Sequence, residues 1–135
     1  MDLGVRGGPV ATLVIVDDDE STLAMLSTFL RRHGYHVIGA TNPVKALELV
    51  RGQPVDLLIT DWMMPHVDGI TLAEQVHRVP GREQLPVILI TAHGTEEVVD
   101  ESMRRGVALT LSKPLELSRL LTLVGFATAP APPAH

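Results

Sequence analysis

At 135 residues the chain has room for one globular domain and none for a separate output domain. Its 45% hydrophobic and 20% charged content fits neither a disordered nor a fibrous protein, and the absence of cysteine excludes disulfides, thiolate metal sites and cysteine nucleophiles, in keeping with a reducing compartment. Sixteen acidic residues against eleven basic ones leave a formal charge of −5, and aromatics are only 3%, so a nucleic-acid backbone is repelled and bases find little to stack on.

In chain order, residues 1–11 are Gly-rich with a Pro and read as a flexible leader. The longest apolar stretch, Val10 to Val16, is too short to cross a bilayer and runs into Asp17-Asp18-Asp19 instead of a cleavage site. Asp2 follows Met1 and no prenylation Cys ends the chain, so lipid anchoring has no support and a cytoplasmic location without membrane contact is expected. Short apolar runs then recur at Leu13 to Val16, Tyr35 to Ala40, Val55 to Thr60, Val87 to Thr91 and Val107 to Leu111. Helical segments fill the intervals. Gly34 follows the first helix, Asn42-Pro43 supplies an N-cap with Pro behind it, Gly106 closes the fourth helix, and Leu117, Leu120, Leu121 and Val124 give the fifth an apolar stripe. Residues 127–135 hold three prolines and read as a tail or the start of a linker, which leaves 12–126 as the domain.

The alternation is (βα)5, and runs as apolar as Leu-Val-Ile-Val and Val-Ile-Leu-Ile are those of strands buried on both faces. Right-handed crossovers make this an α/β doubly wound parallel sheet, in which ligands sit beyond the carboxyl ends of the strands. At those ends stand Asp17-Asp18, Asp61, Thr91 and Ser112-Lys113-Pro114. Two carboxylates about 4 Å apart repel by roughly 4 kcal/mol at an effective dielectric near 20, so three of them gathered there need a compensating cation. An all-oxygen donor set favours Mg²⁺, and the six histidines show no zinc-binding spacing.

These residues resemble the receiver domain of bacterial two-component response regulators over about residues 12–126: Val16-Asp17-Asp18 after an apolar strand, Thr60-Asp61-Trp62-Met63-Met64-Pro65 followed by Asp68-Gly69, Thr91-Ala92, and Lys113-Pro114. The resemblance implies a flavodoxin-like five-stranded sheet in the order 2-1-3-4-5. It implies Asp61 as phosphoacceptor, taking a phosphoryl group from the phosphohistidine of a sensor histidine kinase or phosphotransfer protein. It also implies Mg²⁺ held by Asp17, Asp18, Asp61 and the backbone carbonyl of Met63, with Thr91 and Lys113 on the phosphoryl oxygens and a cis Lys113-Pro114 bond. Such a module signals by changing conformation to an unnamed downstream protein, as a monomer or weak dimer, and catalyses only its own phosphorylation and dephosphorylation. Met63 and His93, at the positions that orient water in this family, imply slow self-dephosphorylation. The clearest departure is Thr110, where receivers usually carry a Tyr or Phe that swings inward on activation.

Simpler roles compete for the same residues. Asp17 to Glu20 suit an acidic helix cap, Pro65, Asp68 and Gly69 suit a turn with Gly69 at positive φ, and Met63 and Met64 suit the core or a pocket wall. Glu96, Glu97, Asp100 and Glu101 with Arg104 and Arg105 suit a solvated helix face with Asp100/Arg104 and Glu101/Arg105 pairs. The other enzyme-like reading is a small haloacid-dehalogenase-like phosphatase with Asp17 as nucleophile, after the order Asp17-x-Asp19-x-Ser21; it leaves Asp61 and its loop without a role.

Overall fold

The structure, a computed structural model, describes residues 10–129; most of the expected leader and tail, 1–9 and 130–135, lies outside them. Five strands and five helices alternate: β1 Thr12–Val16, α1 Glu20–Arg32, β2 His36–Ala40, α2 Pro43–Gly52, β3 Leu57–Asp61, α3 Gly69–His77, β4 Val87–Thr91, α4 Glu96–Arg104, β5 Leu109–Ser112 and α5 Leu117–Thr128. All neighbouring strands pair in parallel, in the order β2-β1-β3-β4-β5, as the resemblance implied.

Because side chains alternate across a strand, each central strand feeds two cores. Val14, Val16, Leu58, Val87 and Leu89 pack with Ala46 and Val50 of α2 and Ile70, Leu72, Ala73 and Val76 of α3. Leu13, Ile15, Leu57, Ile59, Ile88 and Ile90 point the other way, onto Leu26 and Leu30 of α1 and Leu120 and Val124 of α5. Each such fully buried side chain contributes roughly 1.5–3 kcal/mol over an exposed one, so the sheet interior is the most strongly held part of the molecule.

Helix starts follow the punctuation. Asn42 Oδ1 accepts the Lys45 amide at 2.9 Å with Pro43 at the first helical position. Gly34 and Gly106, at φ 94° and 105°, turn the chain after α1 and α4. Helix α5 runs through Thr128, two residues beyond the boundary expected at 126: Ala127 packs on the core and the Thr128 hydroxyl donates to the Val124 carbonyl at 2.8 Å, ahead of Pro130. Ala favours a helix, and the composition of the tail concealed that.

Register decides what the strand ends bring together. Val16 pairs with Thr60, so Asp17 and Asp61, each one residue further on, leave the sheet side by side. Asp61 pairs with Ile90, and Thr91 with Ser112, which places Lys113 just past the same edge.

Candidate functional site

Asp17, Asp18 and Asp61 each offer a carboxylate oxygen within 4.8 Å of the others. Asp17 is buried, Asp61 half-buried and Asp18 exposed. Asp17 is fixed by its own turn, its Oδ1 accepting the Asp19 amide at 2.9 Å. Burial pushes its carboxyl above the usual carboxylate range; the charges of Asp61 and Asp18 push the same way, while the Asp19 amide and Lys113 oppose them. The ionised form of Asp17 is therefore less favoured here than in water, and a cation beside it would offset that. Three converging hard oxygen donors, one buried, fit a small divalent cation such as Mg²⁺.

Lys113 supplies one fixed positive charge, with Nζ 3.1 Å from Asp61 Oδ1. Its backbone amide donates to the Thr91 carbonyl at 2.8 Å, and the Lys113-Pro114 bond is cis. Thr91 is buried, and its Oγ1 accepts the His93 amide at 2.9 Å, which leaves the hydroxyl hydrogen free to donate. A cleft of about 230 Å³ between α1 and residues 113–115, ahead of α5, opens beside Asp17 and Lys113, walled by Met25, Leu26, Ile90 and Leu115.

The competing local roles sort by residue. In the acidic run Asp19 is the cap of α1, its carboxylate accepting from the Thr22 amide and hydroxyl and from Ser21 Oγ, while Asp17 and Asp18 face the site. Asp68 caps α3 by accepting the Thr71 amide at 2.8 Å. Gly69 does not take a positive φ; His66 does, at 76°. Gly69 is required for closeness instead, since a Cβ there would collide with the Asp61 carbonyl and lie 2.7 Å from Leu89 Cδ1. Met64 and Trp62 pack half-buried against the core, but Met63 is 63% exposed, so it forms no pocket wall: the loop turns its side chain to solvent.

Two links were not legible in the sequence. The Glu101/Arg105 pair forms at 3.0 Å, but Arg105 also reaches Glu74 at 2.8 Å on α3, a partner 31 residues away. Among the described residues no Asp100/Arg104 pair forms. Thr110, half-buried on β5, lies with its Oγ1 3.0 Å from the buried Ser102 Oγ of α4.

A doubly wound parallel sheet with three acids and a lysine at its carboxyl edge defines a class of phosphate-handling α/β modules. Within that class, the response regulator receiver domain family matches residues 13–125, and the chain belongs to it. The family is the phosphoryl-accepting module of two-component signalling. Among relatives, the chain is 33% identical to the signal transduction histidine-protein kinase BarA of Escherichia coli (strain K12) over 84% of its own length and 12% of BarA's. It is 34% identical to the transcriptional regulatory protein GlrR of the same organism over 92% of its length and 28% of GlrR's. It thus spans a small part of these curated relatives. A solved structure of a putative response regulator from Chloroflexus aurantiacus J-10-fl is similar at 33% identity with a TM-score of 0.83, covering 89% of this chain and 98% of that one. Receivers are signalling domains, and the phosphatase alternative, which leaves Asp61 without a role, is not favoured. No helix among the described residues is long and apolar enough to cross a membrane.

Proposed function

We propose that Asp61 accepts a phosphoryl group from the phosphohistidine of a sensor histidine kinase or phosphotransfer protein, and that the resulting aspartyl phosphate is the signal this chain passes on. The observation that carries the proposal is the Asp61 carboxylate gathered with those of Asp17 and Asp18, with the Lys113 ammonium 3.1 Å from it. A carboxylate oxygen of Asp61 attacks phosphorus in line, the phosphorus–nitrogen bond breaks, and its electron pair returns to the imidazole. Positioning and charge neutralisation are nearly all that such a transfer requires. Lys113 neutralises one phosphoryl oxygen, and the Thr91 hydroxyl hydrogen donates to another.

Asp17, Asp18, Asp61 and the Met63 carbonyl would hold Mg²⁺ beside Asp61. When bound, Mg²⁺ supplies charge neutralisation for the attacking carboxylate and the phosphoryl oxygens. The transfer and the later hydrolysis are the chain's own chemistry on itself. With Met63 exposed and His93 in the neighbouring loop, neither position carries a carboxylate or amide to orient water, which makes hydrolysis slow. The location implied by such donors is the cytoplasm.

Treatment with acetyl phosphate and Mg²⁺, followed by mass spectrometry, tests the assignment. One phosphoryl adduct is expected on Asp61, absent in Asp61→Asn and persisting as the reagent is removed. An adduct on Asp17, or turnover of phosphate esters through it, would overturn the proposal.

A further inference from the structure

The peptide group that joins Asp61 to Trp62 is held at both ends, and only one of the two holds comes from the sheet. The Trp62 amide donates to the Ile90 carbonyl of β4 at 2.9 Å. Successive residues of a parallel strand bond to opposite neighbours, so Asp61, one residue earlier, turns to the β1 side. There the ladder has ended. The β1–β3 register closes at Val16 and Thr60, and the Asp17 amide has turned away to the Ala40 carbonyl of β2. Among the described residues no loop amide donates to the Asp61 carbonyl.

The donor is the Thr60 hydroxyl, 2.9 Å from that oxygen. Thr60 is fully buried, and burial obliges its hydroxyl hydrogen to find an acceptor. Its methyl fills the other direction. A Cβ built on Gly69 would lie 3.1 Å from Thr60 Cγ2 and would collide with the Asp61 carbonyl itself. The first residue of α3, the Thr60 side chain and the Asp61 carbonyl thus share one closely packed corner. The Gly69 amide donates to the Trp62 carbonyl at 2.8 Å, which ties the next peptide to the same corner. Because a peptide group is planar, fixing its carbonyl and its N–H together fixes ψ of Asp61 and φ of Trp62. Those two angles set how the acceptor carboxylate is presented and in which direction the chain leaves toward Met63.

We infer that Thr60 is a positioning residue for the acceptor: its hydroxyl holds the Asp61–Trp62 peptide where the sheet cannot, and so keeps the Asp61 carboxylate and the Met63 carbonyl in place. The inference rests on the phosphoacceptor reading of Asp61. Thr60 itself touches neither a phosphoryl oxygen nor a cation. Valine at this position keeps the shape and leaves the Asp61 carbonyl without its donor, whereas serine keeps the donor and loses only the methyl.

Three measurements on the whole chain test it, with Thr60→Val and Thr60→Ser beside the wild type. The first needs no ligand. Relative to the amides of β1, which report global unfolding, exchange at Trp62 and Gly69 should be about threefold to tenfold faster in Thr60→Val, the factor that one net hydrogen bond is worth. Thr60→Ser should stay near the wild type. The second is Mg²⁺ affinity, titrated through the fluorescence of the single tryptophan, which should weaken by a similar factor in Thr60→Val and recover in Thr60→Ser. The third is the initial rate of adduct formation on Asp61 from acetyl phosphate at saturating Mg²⁺, slower in Thr60→Val and restored in Thr60→Ser. Unchanged relative exchange in Thr60→Val, or a folded Thr60→Ser that exchanges fast at both amides, would overturn the inference. So would faster exchange with Mg²⁺ affinity and adduct rate both unchanged, because that pattern is a loss of local stability alone. A wild type that forms no adduct on Asp61 would sink the acceptor reading instead, and the exchange and Mg²⁺ measurements would still decide whether Thr60 holds Asp61 in place.

Discussion

Helices α3 and α4 are both nine residues long, each begins after a loop at the site, and each is capped by a side chain, Asp68 or Thr95, accepting an amide of the first turn. They are held by opposite means. Helix α3 buries Gly69, Ile70, Leu72, Ala73 and Val76, whereas α4 buries only Ser102. Apolar burial is stiff, since every ångström of displacement opens a void; a helix attached by hydroxyls and one guanidinium can tilt while keeping most of its bonds. The helix whose first residue lies against the Asp61 backbone is built on core packing, and α4 is built on polar contacts at one end.

Four experiments break or sharpen that contrast. The largest effect is expected from truncating the fourth residue of each helix. Leu72→Ala should cost about 2–5 kcal/mol of unfolding free energy in a denaturant titration. Val99→Ala, half-buried on α4, should cost less than about 1.5 kcal/mol, and similar losses for both would erase the distinction.

Next comes the cation. Mg²⁺ at about 100 times its dissociation constant should stabilise the wild type by roughly 2.7 kcal/mol, read as a higher Tm. Asp18→Ala should lose that response; a variant that still gains as much from Mg²⁺ would remove Asp18 from the site.

The two entry glycines come third. A Cβ at Gly69 meets the Asp61 backbone, which cannot yield, so Gly69→Ala should cost about 1–3 kcal/mol and weaken the Mg²⁺ response. At Gly94 the obstacle is the Ser112 hydroxyl, an exposed side chain free to rotate, and Gly94→Ala should cost under about 1 kcal/mol. A reversed order would mean that the α4 entry is the more tightly built of the two.

The smallest effect is one of pH. Hydrogen bonding to Arg105 holds the Glu74 carboxyl below its ordinary value of 4.5, and Glu74 in turn pushes the Arg105 guanidinium up. A depressed carboxyl contributes stability that is present above its unfolded value and lost as pH falls through its folded one. Between neutral pH and about pH 5 the α3–α4 link should thus hold constant, and below the ordinary carboxylate range it should weaken. Glu74→Gln should lose that contribution near neutral pH and converge on the wild type in acid, so that this part of the acid-side stability curve is flattened. Loss of stability in the variant at all pH values alike would assign Glu74 a packing role instead.

The sheet was legible because its strands are apolar on both faces and end in punctuation, so periodicity alone carries five strands, their parallel sense and the acids at their ends. Asp17, Asp61, Thr91 and Lys113 could be named as site candidates because each ends such a run or follows it within two residues. The division of labour within Asp17 to Glu20 was not legible, since a cap and a metal-binding carboxylate are the same residue type. Only the turn made by Asp17 accepting the Asp19 amide separates them. Gly69 looked like a turn residue because sequence shows that a side chain is missing and not what would occupy its place. Arg105–Glu74 and Ser102–Thr110 lie beyond any local pattern: the partners sit on different elements, and neither helical nor strand spacing relates them. Sequence by itself determined which faces are buried and which residues end the strands, because hydrophobic periodicity and chain punctuation act locally. Tertiary structure alone decided which polar groups meet across elements, because that depends on how the helices settle on the sheet once the apolar faces are covered.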